Sequence, residues 1–174
     1  MKKRDILFVD GYNMIGAWGE LNRLMRQGDT QEARDRLLFE LSNYGKYRNW
    51  QVIVVFDAQH VPGVTTSFDY ANLQVVFTES GETADTYIER EVGQYIRAWN
   101  RVIVATSDMA EQWLIFQKGA LRQSSQELWI DIQYAKQQIQ EDIRTHYDAM
   151  IRRHSPWQVE QLKQLDQLRY DLDQ

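Results

Sequence analysis

Hydrophobic positions along the chain follow two kinds of pattern. Ile6-Leu7-Phe8-Val9, Val52-Ile53-Val54-Val55-Phe56 and Val102-Ile103-Val104-Ala105 are short, unbroken and rich in β-branched residues, the mark of strands buried on both faces. Leu73-Gln74-Val75-Val76-Phe77 is a fourth such run. Between most of these runs the apolar residues recur at helical spacing. Leu37, Leu38 and Leu41 supply one face of a helix expected from about Asp29 to Arg48, with Asp29 and Glu32 at capping-box spacing and Gly45 interrupting the pattern near its end. Ala84, Tyr87, Ile88, Val92, Tyr95 and Ile96 make the stripe of a second, from about Thr83 to Trp99, and a third begins near Ser107 with Trp113, Leu114 and Phe116. This largely alternating order predicts an α/β fold, with a central, mainly parallel sheet and helices on both faces.

After Gly119 the texture changes. Ser124 and Glu127 form a capping box ahead of Leu128, Ile132, Ala135, Ile139, Ile143 and Met150, which keep helical spacing for about six turns. Ser155-Pro156-Trp157-Gln158 opens a second tail helix carrying Val159, Leu162, Leu165, Leu168 and Leu172. The chain therefore divides into an α/β domain over 1–123 and a C-terminal helical extension over 124–174. The two tail stripes suit a helical hairpin, or packing across the sheet domain.

Composition narrows the function. With 43% hydrophobic and 26% charged residues, the chain falls outside the polar, highly charged range that stays disordered. It has no cysteine, which excludes disulfides, thiolate zinc sites and a cysteine nucleophile, so any metal is held by oxygen or by the few histidines. A net charge of −5 argues against coating nucleic acid by bulk electrostatics and confines RNA contact to local basic patches. The short Ile6–Val9 run after Met1-Lys2-Lys3-Arg4-Asp5 is too short for a signal peptide, and no run approaches the roughly 18 apolar residues of a membrane span. A cytoplasmic protein without a membrane partner is expected.

The chemistry concentrates at the strand ends. Asp10, Asp57 and Asp108 each follow a strand, and in an open parallel sheet those ends share the rim where ligands bind. Glu82 and Asp85, three apart where a helix starts, add two carboxylates near the same rim. Two carboxylates about 5 Å apart repel by roughly 3 kcal/mol at an effective dielectric near 20. A cluster of them holds protons or a cation, and hard oxygen donors favour Mg2+ or Mn2+. Taken singly, each acid also suits a helix cap or a turn.

In Asp10-Gly11-Tyr12-Asn13, the glycine permits a sharp turn and the asparagine can orient a water, a phosphate oxygen or a metal ligand. Neither a Gly-x-x-x-x-Gly-Lys-Ser/Thr loop nor a Gly-x-Gly-x-x-Gly turn occurs, so no nucleotide cofactor is expected. Candidate RNA contacts are the basic pairs Arg97 and Arg101, Lys118 and Arg122, and Lys46 and Arg48, with Tyr12, Trp18, Phe68 and Tyr70 as stacking surfaces. His60 follows a strand end, and Val61-Pro62-Gly63-Val64 reads as a loop near the rim.

These strings resemble one family, the YacP-like branch of the NYN domains, which have a PIN-like nuclease fold. The resemblance is carried by Asp10-Gly11-Tyr12-Asn13-Met14-Ile15-Gly16-Ala17-Trp18, Val54-Val55-Phe56-Asp57-Ala58, Glu82-Thr83-Ala84-Asp85, Ala105-Thr106-Ser107-Asp108 with Glu111-Gln112-Trp113, and Gly119-Ala120-Leu121-Arg122. It implies a three-layer PIN-like fold and a divalent-metal endoribonuclease that cuts messenger RNA in association with the ribosome. Asp10 and Asp85 fall on the family's catalytic acids, Asp108 and Asn13 on its supporting polar positions, and Asp57 on a family string as a possible additional acid. The implied chemistry is hydrolysis by a water activated on Mg2+ or Mn2+ held by Asp10, Asp85 and Asp108; the helix-start spacing adds Glu82 to the ligands, and the basic pairs and aromatics above put Tyr12, Lys118, Arg122 and Arg97 toward the RNA. The tail departs from the family pattern, with a glutamine-rich face of Gln137, Gln138, Gln140 and Gln161. Two alternatives stand beside the nuclease: an RNA- or ribosome-binding module that keeps the fold without turnover, and a structural partner that self-associates through the tail.

Overall fold

The computed structural model of the chain describes residues 4–57, 68–70, 72–108, 117–154, 164 and 167. Through them run β1 (Arg4–Asp10), α1 (Gly11–Ala17), α2 (Gly19–Arg26), α3 (Thr30–Arg48), β2 (Gln51–Phe56), β3 (Phe68–Tyr70), β4 (Leu73–Phe77), α4 (Ala84–Tyr95), β5 (Asn100–Ala105), β6 (Leu121–Gln123) and α5 (Ser125–His154). The strands form one sheet in the order β3-β4-β2-β1-β5-β6. β1 lies parallel between β2 and β5, with Leu7 level with Val52 on one side and Ile103 on the other. β4 and β6 extend the parallel set, and β3 pairs antiparallel with β4 at one edge.

Successive strand residues point to opposite faces, so an unbroken apolar run is stable only where both faces are covered. On one face Leu7, Val9, Val54, Phe56 and Ala105 pack with Met14, Ile15, Leu21, Leu37, Leu41 and Leu128 from α1, α2, α3 and α5. On the other, Ile6, Phe8, Ile53, Val55, Val102 and Val104 meet Ala84, Ile88 and Val92 of α4. The fold is thus the α/β, three-layer arrangement expected, with a mainly parallel sheet between helical layers. Each fully buried Leu, Ile or Val contributes about 1.5 to 3 kcal/mol, and these two clusters hold the strand ends in register.

The helices depart from expectation at several points. α1 and α2 occupy residues that the first expected helix, starting at Asp29, leaves out. Three glycines and short length hide them, yet Met14, Ile15, Trp18 and Leu21 recur at helical spacing and are buried. Gly11 is required by close approach: a Cβ there would lie 2.8 Å from Cζ of Phe56 and nearer still to two other ring atoms. Gly45 does not end α3; it lets the helix pass close to Asn72 and Val52. Asp29 makes no side-chain cap, whereas Ser124 and Glu127 form the full capping box, Ser124 N donating to Glu127 Oε2 at 2.7 Å and Glu127 N to Ser124 Oγ at 3.1 Å. α4 stops at Tyr95, a turn earlier than expected.

The chain divides into two compact units, Met1–Ala135 and Lys136–Gln174. Leu128, Ile132 and Ala135 complete the core of the first, and Trp18 Nε1 donates to the Ser125 carbonyl at 3.0 Å inside it. In the second, Ile143, Tyr147 and Met150 are exposed. The expected helix over Trp113, Leu114 and Phe116, the second tail helix apart from Gln164 and Gln167, which are helical, His60 and the Val61–Val64 loop lie outside the described residues. Among the described residues, no helix is long and apolar enough to cross a membrane.

Candidate active site

The rim is built at the C-terminal ends of the three central strands. β1 ends in Asp10, whose neighbour on β2 is Val55, two residues before Asp57. Val9 is level with Ala105 of β5, three residues before Asp108. Strands about 4.8 Å apart therefore deliver these positions to one edge of the sheet.

Asp10 also caps α1. Its Oδ1 accepts the Asn13 N–H at 3.0 Å, the bond that starts the helix within one residue of the strand. The Asn13 side chain then reaches across the rim, its Oδ1 accepting the Ser107 N–H at 2.9 Å. Ser107 Oγ in turn meets Ser125 Oγ at the start of α5. Beyond Ser107, the Asp108 N–H donates to Thr106 Oγ1 at 3.1 Å, fixing the turn out of β5, and Asp108 is exposed.

Asp57 plays a part its position alone does not reveal. Its Oδ1 accepts the Ala84 N–H at 2.9 Å, so an acid from the end of β2 holds the first turn of a helix 27 residues further on. Thr83 caps the same helix through the Thr86 N–H. Together they fix the next residue, Asp85, in the first turn of α4, where the positive end of the helix dipole favours a carboxylate.

Asp10 and Asp85 meet. Burial pushes the Asp10 carboxyl up to about 7, the Asn13 N–H opposes the rise, and the charge and hydrogen bond of Asp85 add to it, with Asp57 contributing further. Burial and the Asp85 carboxyl together favour the protonated form of Asp10, with a smaller push from Asp57. Glu82 is drawn elsewhere, ion-paired with Arg90, which also holds Glu91 and lies over the Tyr87 ring. Among the described residues, no three His, Asp or Glu side chains are grouped as a metal cage. Two carboxylates do fit Mg2+, a small hard ion that keeps several waters and takes one or two protein carboxylates beside substrate phosphate.

The expected RNA contacts are scattered. Tyr12 lies beside the rim, its ring edge-on to Phe56 at 5.1 Å between centroids. Lys118 is held by Glu89, 2.9 Å from its carbonyl and 3.1 Å from Oε1. Arg122 is exposed on β6 beside Glu127, and Arg97 bonds weakly to the Gln94 carbonyl at 3.4 Å. Arg101 and Arg48 both lie over Trp50 near the opposite ends of the strands, and Arg101 forks onto Asp5 at 2.7 and 2.8 Å. One cation at the rim is missing from the sequence reading: Arg34 of α3, which donates to the Tyr12 hydroxyl at 3.1 Å. Its only sequence signal is its place on an amphipathic helix, 22 residues from its partner.

Residues 7–170 match the family model for the YacP-like NYN domain. The uncharacterized protein YacP of Bacillus subtilis (strain 168) is 42% identical over 140 residues, 80% of this chain and 82% of that protein. The crystal structure of Rae1 (YacP) from Bacillus subtilis matches with a TM-score of 0.72 at 39% identity over 97% of both chains. A tryptophan-to-leucine mutant of Rae1 gives a TM-score of 0.73 at 40% identity, over 83% of this chain and 84% of that one. The NYN domain is a nuclease-type domain of PIN-like fold. With a family model spanning nearly the whole chain, a close relative and a matching fold, the chain belongs to the YacP-like NYN domain family.

Proposed function

We propose that this protein is a divalent-metal-dependent endoribonuclease that cuts messenger RNA in the cytoplasm, on translating ribosomes. The observation that carries the reading is the Asp10–Asp85 pair at the rim: burial raises the Asp10 carboxyl to about 7, and the charge and hydrogen bond of Asp85 add to that rise. A binding module has no use for such stored repulsion, whereas a site that takes up a cation turns it into affinity.

In this reading Asp10 and Asp85 hold Mg2+ or Mn2+, with Asp108 and Asn13 in support. A bound divalent ion would lower the pKa of a water and offset charge on the phosphate oxygens. The protein's own groups prepare that place. Asn13 fixes one Asp10 oxygen through its N–H and ties the β1 rim to β5, and Asp57 and Thr83 hold the α4 turn that presents Asp85. Glu82 would serve as a ligand only by leaving Arg90. The net charge of −5 disfavours tight binding of free RNA, which supports a large partner such as the ribosome as part of the substrate.

The test is cleavage of end-labelled messenger RNA in a purified translation system, with and without ribosomes. Mg2+ or Mn2+, chelator and Asp85→Asn serve as controls. Metal-dependent cuts on translating ribosomes that disappear in Asp85→Asn are expected. Cuts on free RNA as well would remove the ribosome from the proposal. Absence of cuts under every condition would leave the chain a binding module.

A further inference from the structure

We propose that Arg34 is the cation that grips a phosphate of the RNA at the acidic rim, held ready by the Tyr12 hydroxyl. The inference rests on the nuclease reading and supplies it with a positive charge on the Tyr12 and Asp57 side of the rim.

Arg34 sits on α3 and is half-buried. One N–H donates to the Tyr12 hydroxyl at 3.1 Å and a second to Gln31 Oε1 at 2.5 Å. A guanidinium carries five N–H donors, so the rest of the fork remains for an anion. Its carbon lies 6.0 Å from the centre of the Phe77 ring, and Phe77 stacks on Phe56, which also packs against Tyr12. These rings and the hydroxyl fix an otherwise mobile side chain, lowering the entropy lost on binding.

The position is tied to the acids. Tyr12 follows Asp10 by two residues, and the Asp57 charge acts on both Tyr12 and Asp10. Several other cations are engaged by acids: Lys118 by Glu89, Arg101 by Asp5, and Arg90 by Glu82 and Glu91. A strand of RNA drawn to a pair of carboxylates needs a cation beside them to offset repulsion of its own phosphates, and a planar fork on an aromatic ledge suits a phosphate better than an ammonium does.

The experiment measures binding of a short single-stranded RNA to the full chain carrying Asp85→Asn, across a range of salt. Adding Arg34→Gln should weaken binding about tenfold at low salt and lower the slope of log affinity against log salt by about 0.7, one phosphate contact on a single strand. Arg34→Lys should keep the slope while losing two- to threefold in affinity, and Tyr12→Phe should behave likewise. Arg101→Gln is the control expected to change neither. Melting curves accompany each variant; if Arg34→Gln unfolds, Arg34→Lys and Tyr12→Phe carry the test. Unchanged affinity and slope in the folded variants, or no RNA binding by the Asp85→Asn parent at low salt, would overturn the proposal. Absence of cutting by the wild type, with the Arg34 effect on binding intact, would instead remove the nuclease reading alone.

Discussion

The side-chain oxygen of Asn13 accepts the backbone N–H of Ser107 at 2.9 Å, joining two residues 94 positions apart in the chain. Because the same residue gives its own N–H to Asp10, one asparagine sets both the acid on β1 and the turn that follows β5. Asn13→Ala leaves the Ser107 N–H to water, which should cost about 0.5 to 1.5 kcal/mol in urea unfolding. Cleavage should fall by more than the stability loss explains. Equal cleavage by a folded Asn13→Ala would show that the tie does not position the site.

Asp10 gives a pH signature in metal-free protein. Its folded value of about 7 lies above the unfolded 3.8, so the folded state holds the proton more tightly. Its contribution to stability is complete below about pH 4 and lost as pH rises through 7. At 1.36 kcal/mol per unit the swing is on the order of 4 kcal/mol. Asp10→Asn keeps a capping oxygen and removes the ionisation, so thermal unfolding at pH 8 should show it more stable than wild type. Millimolar magnesium should stabilise the wild type at pH 8 and leave Asp10→Asn unmoved.

Asp57 can be tested as a cap separately from any role as an acid. Asp57→Asn retains an oxygen for the Ala84 N–H and should fold with near wild-type stability, whereas Asp57→Ala should lose about 1 kcal/mol. Cleavage should track the cap, surviving in Asp57→Asn and dropping in Asp57→Ala as Asp85 loosens. A stable but inactive Asp57→Asn would assign the carboxylate a direct chemical role instead.

Gly11→Ala should be among the most damaging small substitutions in the first unit. The added methyl collides with the Phe56 ring, and overpacking of this kind costs about 1 to 3 kcal/mol. Combining it with Phe56→Leu should recover part of the loss in chemical unfolding, by making room. A Gly11→Ala protein as stable as wild type would mean that the ring shifts freely.

The sheet was legible because its strands are buried on both sides, which leaves continuous apolar runs that no exposed segment imitates. α4 and the start of α5 announced themselves by apolar stripes and caps. α1 and α2 did not: a seven- and an eight-residue helix each span about two turns, too few for a period to stand out against Gly11, Gly16 and Gly19. At the site, Asp10 and Asn13 share one motif and touch in space, and Asp85 stood out as an acid at a helix start although it lies in a separate string. Glu82 looked equivalent to Asp85, but sequence spacing does not show that Arg90, eight residues on, takes its charge. Arg34 and the cap made by Asp57 join distant segments, and no local pattern encodes them.

The three strands that carry the site lie side by side in the middle of the sheet, and β5 is inserted next to β1 only after most of the first unit has been made. A nascent chain that has emerged through Asp57 has Asp10 and Asn13 in place yet lacks Asp85 and the Ser107 turn. The candidate site is therefore split across synthesis: the half-made protein holds Asp10 and Asn13 without the Asp85 carboxyl or the Ser107 turn that complete it.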